Sequence, residues 1–215
     1  MSIKSKVLGG AAALAVMAGG LGVAGAATAH AATPPCGSSC TALTSPALGG
    51  VGDVYKRVAK TGQPIIMWTP TNSDPAEDFT YAAQGSVREF YKLGLVSAGL
   101  ELHYSKDQAF ELAYAPYGVQ SGLCIGVGST AGNGTKVTLQ PCGESSKTLW
   151  VRDAVNGYWS SGKFVGPLIN GSDNNFSRPW VLTDSSGSLV TRNLNQFSDG
   201  TVIDNQVWTH VNGVL

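Results

Sequence analysis

The stretch Leu123 to Val151, LCIGVGSTAGNGTKVTLQPCGESSKTLWV, limits the fold more than any other part of the chain. Leu123 to Val127 reads as a strand, Asn133-Gly134 as a turn, and Lys136 to Gln140 as a second strand, with Val137 and Leu139 facing one way and Thr138 the other. A further short strand ends in Trp150. Cys124 and Cys142 stand 18 positions apart at the ends of the first two strands, where a hairpin brings their Cα atoms within reach of a disulfide. The segment is a small self-contained β unit.

The first 31 residues form no part of that architecture. Lys4 and Lys6 supply a charged start, Val7 to Ala27 a run of Ala, Leu, Val and Gly, and Ala29-His30-Ala31 a small-x-small cleavage site, which together read as a secretory signal peptide. A membrane anchor is the competing reading; the Gly-rich run, the cleavage site and the lack of a charged stop argue against it. Residues 32–215 are one domain's worth of chain. Removing Lys4 and Lys6 from the 14 basic residues leaves 12 against 14 acidic ones, so the exported part is near neutral. Nucleic acid and anionic membrane are poor candidate partners for it.

All four cysteines lie in the exported part, where disulfides persist. Four cysteines allow three connectivities, and spacing favours Cys36 with Cys40 and Cys124 with Cys142. No metal site is expected: Cys36-x-x-x-Cys40 has no nearby His pair, and His103 and His210 are the only exported histidines. No phosphate loop, dinucleotide fingerprint or other cofactor motif is present. Without a G-x-S-x-G or similar motif, no catalytic triad can be nominated.

Read in order, the chain opens with a Pro/Ser-rich lead-in to Pro46. A first repeat then runs from Gly52 to Tyr81, in which Ile65 and Met67 fall where Val137 and Leu139 stand and Phe79 falls near the place of Trp150. Residues 82–120 fit no repeat and read as an insertion. Ser86-Val87-Arg88-Glu89 has the form of a capping box and predicts a short helix over about 87–93, ended by Gly94. Leu95 to Tyr104 and Ala109 to Tyr114 alternate as two strands, Leu100, Leu102 and Tyr104 facing one side. A looser third repeat runs from Phe164 to His210. Val165 to Ile169, Trp180 to Thr183 and Leu189 to Leu194 are its strands, with turns at Asn170-Gly171 and Ser186-Gly187, and Asn205-Gln206-Val207-Trp208 at its end.

The pattern C-hydrophobic-x-V, N-G-x-x-V-x-L-x-x-C, x-x-W is carried by Cys124, Val127, Asn133, Gly134, Val137, Leu139, Cys142 and Trp150. With the intact Q-x-W of residues 206–208 it resembles the ricin-type lectin β-trefoil, over residues 52–81 and 121–211. The resemblance implies an all-β, trefoil-like barrel of three repeats, the helix-containing insertion following the first, with Phe79, Trp150 and Trp208 filling the core at threefold-related places.

A ricin-type pocket holds a neutral sugar with an Asp near the start of the repeat, an aromatic ring at the end of its second strand and an Asn/Gln pair at the Q-x-W. The second repeat keeps none of these: Gly126, Thr138, Gln140, Lys147 and Thr148 stand in their places. In the first repeat the resemblance points to Asp53 as the acid and Trp68 as the ring, with Asn72 and Asp74 as polar partners and Glu77 in place of the Gln. The third keeps Asn205 and Gln206 but offers Asn170 for the acid and Asn195 for the ring. Asp74, Glu77 and Asp78 otherwise read as solvated loop carboxylates, with an acid–base pair as the sharper alternative.

The expectation is a secreted, extracellular carbohydrate-binding module without catalysis, whose partners are glycans or polysaccharide. The competing readings are a secreted protein-interaction or inhibitor domain using residues 82–120 as its surface, and, third, a secreted hydrolase.

Overall fold

The computed structural model describes residues 36, 40–71, 74–143 and 145–212. The expected signal peptide, and Asn72, lie outside the described residues. Among those described, no helix is long and apolar enough to cross a membrane.

The first repeat is β1 (Thr41–Ser45), β2 (Gly50–Val54), β3 (Ile65–Trp68) and β4 (Phe79–Ser86). The second is β5 (Gln108–Tyr114), β6 (Leu123–Val127), β7 (Thr135–Pro141) and β8 (Trp150–Arg152). After an added short strand β9 (Tyr158–Ser160), the third begins with a strand that Pro167 divides into β10 (Lys163–Gly166) and β11 (Leu168–Asn170). It continues with β12 (Trp180–Ser185), β13 (Ser188–Asn193) and β14 (Trp208–Asn212).

First and fourth strands of the repeats make a closed antiparallel wall. β1 pairs with β4 at Thr41↔Phe79, β4 with β5, β5 with β8 at Phe110↔Trp150, β8 with β11, β10 with β14 at Gly166↔Trp208, and β14 with β1. Phe79, Trp150 and Trp208 thus occupy one position of the repeat. All three are buried in a single apolar cluster, the two indoles donating from Nε1 to Ile125 O (3.0 Å) and Leu182 O (2.9 Å). Burying rings of this size adds about 1.5–3 kcal/mol or more each to the core.

The middle strands form three hairpins that close one end of the barrel. Each hairpin's turn bonds the third strand of the next: Gly62 N to Leu139 O (2.8 Å), Gly134 N to Thr191 O (2.8 Å), and Gly187 O from Met67 N (3.0 Å). Gly62, Gly134 and Gly187 all have φ between +75° and +86°, which L side chains rarely adopt. Three hairpin units closing one wall and one cap about a common axis are a β-trefoil. The disulfide pairs expected from spacing are both present, Cys36–Cys40 and Cys124–Cys142, with Cα separations of 5.6 and 5.0 Å.

Residues 82–120 differ from the expected insertion. β4 continues to Ser86, and β5 is the second repeat's first strand, paired with β4 from Phe79↔Tyr114 to Ser86↔Gln108. Only residues 87–107 stand outside the repeat. They form α1 (Val87–Lys92), with the expected capping box between Ser86 and Glu89, and α2 (Ala98–Tyr104). The strand expected over 95–104 is therefore a helix. Ser97 caps it by accepting from Leu100 N (3.1 Å), and Leu100 and Tyr104 are buried while Leu102 is 77% exposed, the period of a helix and not of a strand. The helices bury Phe90, Leu100 and Tyr104 against Leu149, Val151, Ile169 and Val181 on the outside of the wall.

Candidate functional site

Register across β2 and β3 sets the geometry of the first repeat. Val51 lies opposite Trp68 and Asp53 opposite Ile66, so Asp53 and Trp68 project from the same, outer face of the hairpin on a diagonal, while Val54 and Ile65 point into the core. Trp68 is 54% exposed and Asp53 only 7%. A half-exposed ring thus stands on the same face as a buried carboxyl group.

Behind Asp53 lies a 3-10 turn, Pro75–Glu77, which Asp74 starts by accepting from Ala76 N (2.9 Å). The turn delivers Glu77 inward, where it is 5% exposed and accepts from Thr71 N (3.1 Å) and Thr71 Oγ1 (3.2 Å). Carboxylate oxygens of Asp53, Asp74 and Glu77 all lie within 4.8 Å of one another. One guanidinium faces them: Arg57 Nη2 donates to Asp74 Oδ2 (2.8 Å) from a side chain 61% exposed. That pair lies too near solvent to neutralise the group. Burial raises Asp53 to about 6, Asp74 adding to the rise and Arg57 opposing it. Burial likewise raises Glu77 to about 7 against the bonds from Thr71, with Asp74 and Asp53 adding. Asp78 is also raised by burial, opposed by the Tyr117 N–H. Asp74 and Glu77 are therefore not the solvated loop carboxylates their sequence suggests. No local pattern could have shown this, because a turn and a neighbouring hairpin bring the three together.

Threefold comparison shows what the position is for. The residue pair Asp53–Glu77 of the first repeat corresponds to Gly126–Thr148 in the second and Thr183–Gln206 in the third. A Cβ on Gly126 would stand 2.8 Å from Lys147 O and 2.9 Å from Thr148 Cγ2, so the second repeat has no room for an acid there. In the third, Gln206 Nε2 donates to Thr183 Oγ1 (3.1 Å) and Asn193 O (2.9 Å), and its Oε1 accepts from Asn195 N (2.8 Å). Gln206 is fully buried, and its amide is committed to holding the strand ends together.

Asn170, expected in the place of the acid, is corrected with it. Asn170 belongs to the barrel strand β11, not to the hairpin. It is fully buried, donating from Nδ2 to Lys147 O (3.0 Å) and accepting from Ser172 N (3.1 Å) and Ser172 Oγ (2.6 Å) at Oδ1, so it braces a turn and offers nothing to a ligand. Arg192, not Asn195, is diagonal to Thr183 where a ring would stand. Asn205 donates from Nδ2 to Asp184 O (2.9 Å). The third repeat has neither acid nor ring.

The wall, the cap and the ring core place this chain in the β-trefoil class. No protein-family model matches it, and neither does any curated protein. Among solved structures it is similar to ThreeFoil, a designed 3-fold symmetric protein, at 13% identity and a TM-score of 0.49 over 80% of this chain and 98% of that one. It is similar also to the Rhizoctonia solani agglutinin (14%, TM-score 0.47, 81% and 95% covered) and the agglutinin from Abrus precatorius (16%, TM-score 0.47, 80% and 48% covered).

Proposed function

We propose that this is a secreted carbohydrate-binding module that acts without catalysis, through the outer face of the β2–β3 hairpin. The observation that carries this reading is the half-exposed Trp68 on the same face as the buried carboxylate of Asp53. The ring offers an apolar plane to the C–H face of a pyranose, and the carboxylate accepts from its hydroxyls. The second and third repeats lack both groups, so one glycan per chain is expected. Binding to a glycan array and to insoluble polysaccharides tests this. Trp68→Ala should abolish retention while moving stability by less than about 1 kcal/mol, since the ring is mostly in water. Retention by the Trp68→Ala protein, or no retention of the parent on any glycan, would sink the reading.

A second reading has its own observation. The helices between β4 and β5 leave Tyr91, Leu93 and Leu102 exposed, apolar groups that favour a protein partner. It predicts that Leu93→Lys and Leu102→Lys weaken partner capture and leave glycan retention untouched.

A further inference from the structure

We propose that the barrel end away from the hairpins holds a binding site for a small organic carboxylate, between Arg152, Lys163 and the ring of Trp159. A cavity of about 430 Å³ opens there, with Arg152 and His210 in its wall and the exposed Trp159 and Lys163 at its mouth. Among the described residues no Asp or Glu lines it. Two buried nitrogens of the wall lack a hydrogen-bond partner, Arg152 Nε and His210 Nε2, and His210 is only 8% exposed. Buried polar groups are rarely left so.

The surrounding network makes both nitrogens donors. Arg152 donates from Nη1 to Gln108 Oε1 and from Nη2 to Tyr81 Oη (3.1 Å), both neutral oxygens. Tyr81 Oη is bonded by Thr41 as well, which leaves its own proton for His210 Nδ1, 3.0 Å away. An imidazole that burial keeps neutral and that accepts at Nδ1 carries its hydrogen on Nε2. The wall is thus short of an acceptor, and its guanidinium is short of a counter-charge. Arg152 is half-buried yet forms no ion pair among the described residues, although charges withdrawn from water are usually paired. Glu89, in an adjoining cleft that Arg152 also lines, is taken up by Ser86 N (2.6 Å) and Ser86 Oγ (3.0 Å). The fold does not call for a cation here, since Tyr81 and His210 stand at the threefold-equivalent places, each two residues beyond its core ring. Packing holds the guanidinium in position, its Cζ 5.1 Å from the centre of the Phe110 ring and 5.6 Å from that of Trp159. A carboxylate brings two acceptor oxygens to these donors, and the half-exposed indole beside them favours an organic anion over an inorganic one.

The site shares no residue with the β2–β3 hairpin, so Trp68→Ala should leave it untouched whatever becomes of the glycan reading. Calorimetric titration of the mature chain with sodium benzoate and with sodium glucuronate should show one saturable site for at least one of them, with a Kd on the order of 10⁻³ M or below. Benzoate alone would assign the site to free organic acids and glucuronate alone to acidic sugars; both outcomes support it. Glucose and sodium sulfate at equal ionic strength are the controls. Arg152→Gln keeps a polar side chain and should weaken binding about tenfold or more, and Lys163→Gln about twofold to fivefold. Indole fluorescence should respond to the bound carboxylate, and that response should vanish in Trp159→Phe while calorimetric binding persists. Because Arg152→Gln removes two internal hydrogen bonds and could unfold the chain, Lys163→Gln and Trp159→Ala, at exposed residues, serve as the second test. No saturable signal from either carboxylate in the folded parent would overturn the proposal. So would sulfate binding as tightly as they do, or unchanged affinity in folded Arg152→Gln or in both exposed variants.

Discussion

Glu77, Thr148 and Gln206 occupy one position of the repeat and meet three different demands there. Gln206 holds strand ends together, Thr148 packs onto Gly126, and Glu77 is an acid buried beside another acid. Because burial lifts Glu77 to about 7 from an ordinary 4.5, the folded chain holds a proton that the unfolded chain has released. Its contribution is therefore fully present below about pH 4.5 and is lost as pH rises through 7. Glu77→Gln should be more stable than the parent by roughly 1–2 kcal/mol at pH 8, and no more stable at pH 4. Denaturant melts at the two pH values check this, and an equal gain at both would show the effect is packing. Asp53 and Trp68 were expected as a pair from the family resemblance alone, and the register of β2 against β3 then puts them on one face of the hairpin. Their neighbour Glu77 was legible as a residue standing where a Gln is expected, but its burial depends on the 3-10 turn that carries it inward and on the bonds from Thr71, which no spacing encodes.

At the scale of elements, the hairpin of β6 and β7, the disulfide across it and the Ser86–Glu89 capping box follow from local chemistry and appear as expected. Helix α2 does not, because the buried pair Leu100 and Tyr104 fits a helical face as well as strand alternation, and only packing on the outer surface of β8 and β11, which leaves Leu102 in water, decides between them. The third repeat was misaligned for a related reason. Pro167 splits its first strand and β9 pairs beside β10, so the barrel strand passed for the start of a hairpin and drew Asn170 into the acid's place. Leu100 is the anchor of α2 on the wall. Leu100→Ala should cost about 2–4 kcal/mol in thermal or denaturant unfolding. Exposed Leu102→Ala should stay within about 0.5 kcal/mol, and comparable losses at both would argue against the helical face.

For the molecule as a whole, the barrel end away from the hairpins carries a second threefold set. Tyr81, Arg152 and His210 each stand two residues beyond a core ring and meet there. Tyr81 Oη is 3.0 Å from His210 Nδ1 and accepts from Arg152 Nη2 (3.1 Å), beside a cavity of about 430 Å³ that Trp159 and Lys163 help line. Burial, and then Arg152, lower His210 from 6.5 to about 3. The folded state therefore keeps a neutral imidazole where the unfolded chain takes up a proton, so this group's contribution is present above pH 6.5 and declines as pH falls toward 3. His210→Gln should flatten that decline relative to the parent, by a few kcal/mol across the window, in urea melts run at successive pH values. A variant whose curve runs parallel to the parent's would show that the imidazole is charged in the fold.

The wall closes where β14 lies against β1, from Thr41↔Asn212 to Thr44↔Thr209. The molecule's opening and closing strands are thus zipped together, and in space the sequence has no true beginning. A short peptide joining residues 212 and 36, which keeps the Cys36–Cys40 bridge, with a new break made in a surface loop between repeats, should give a rearranged gene product that still closes the same circle.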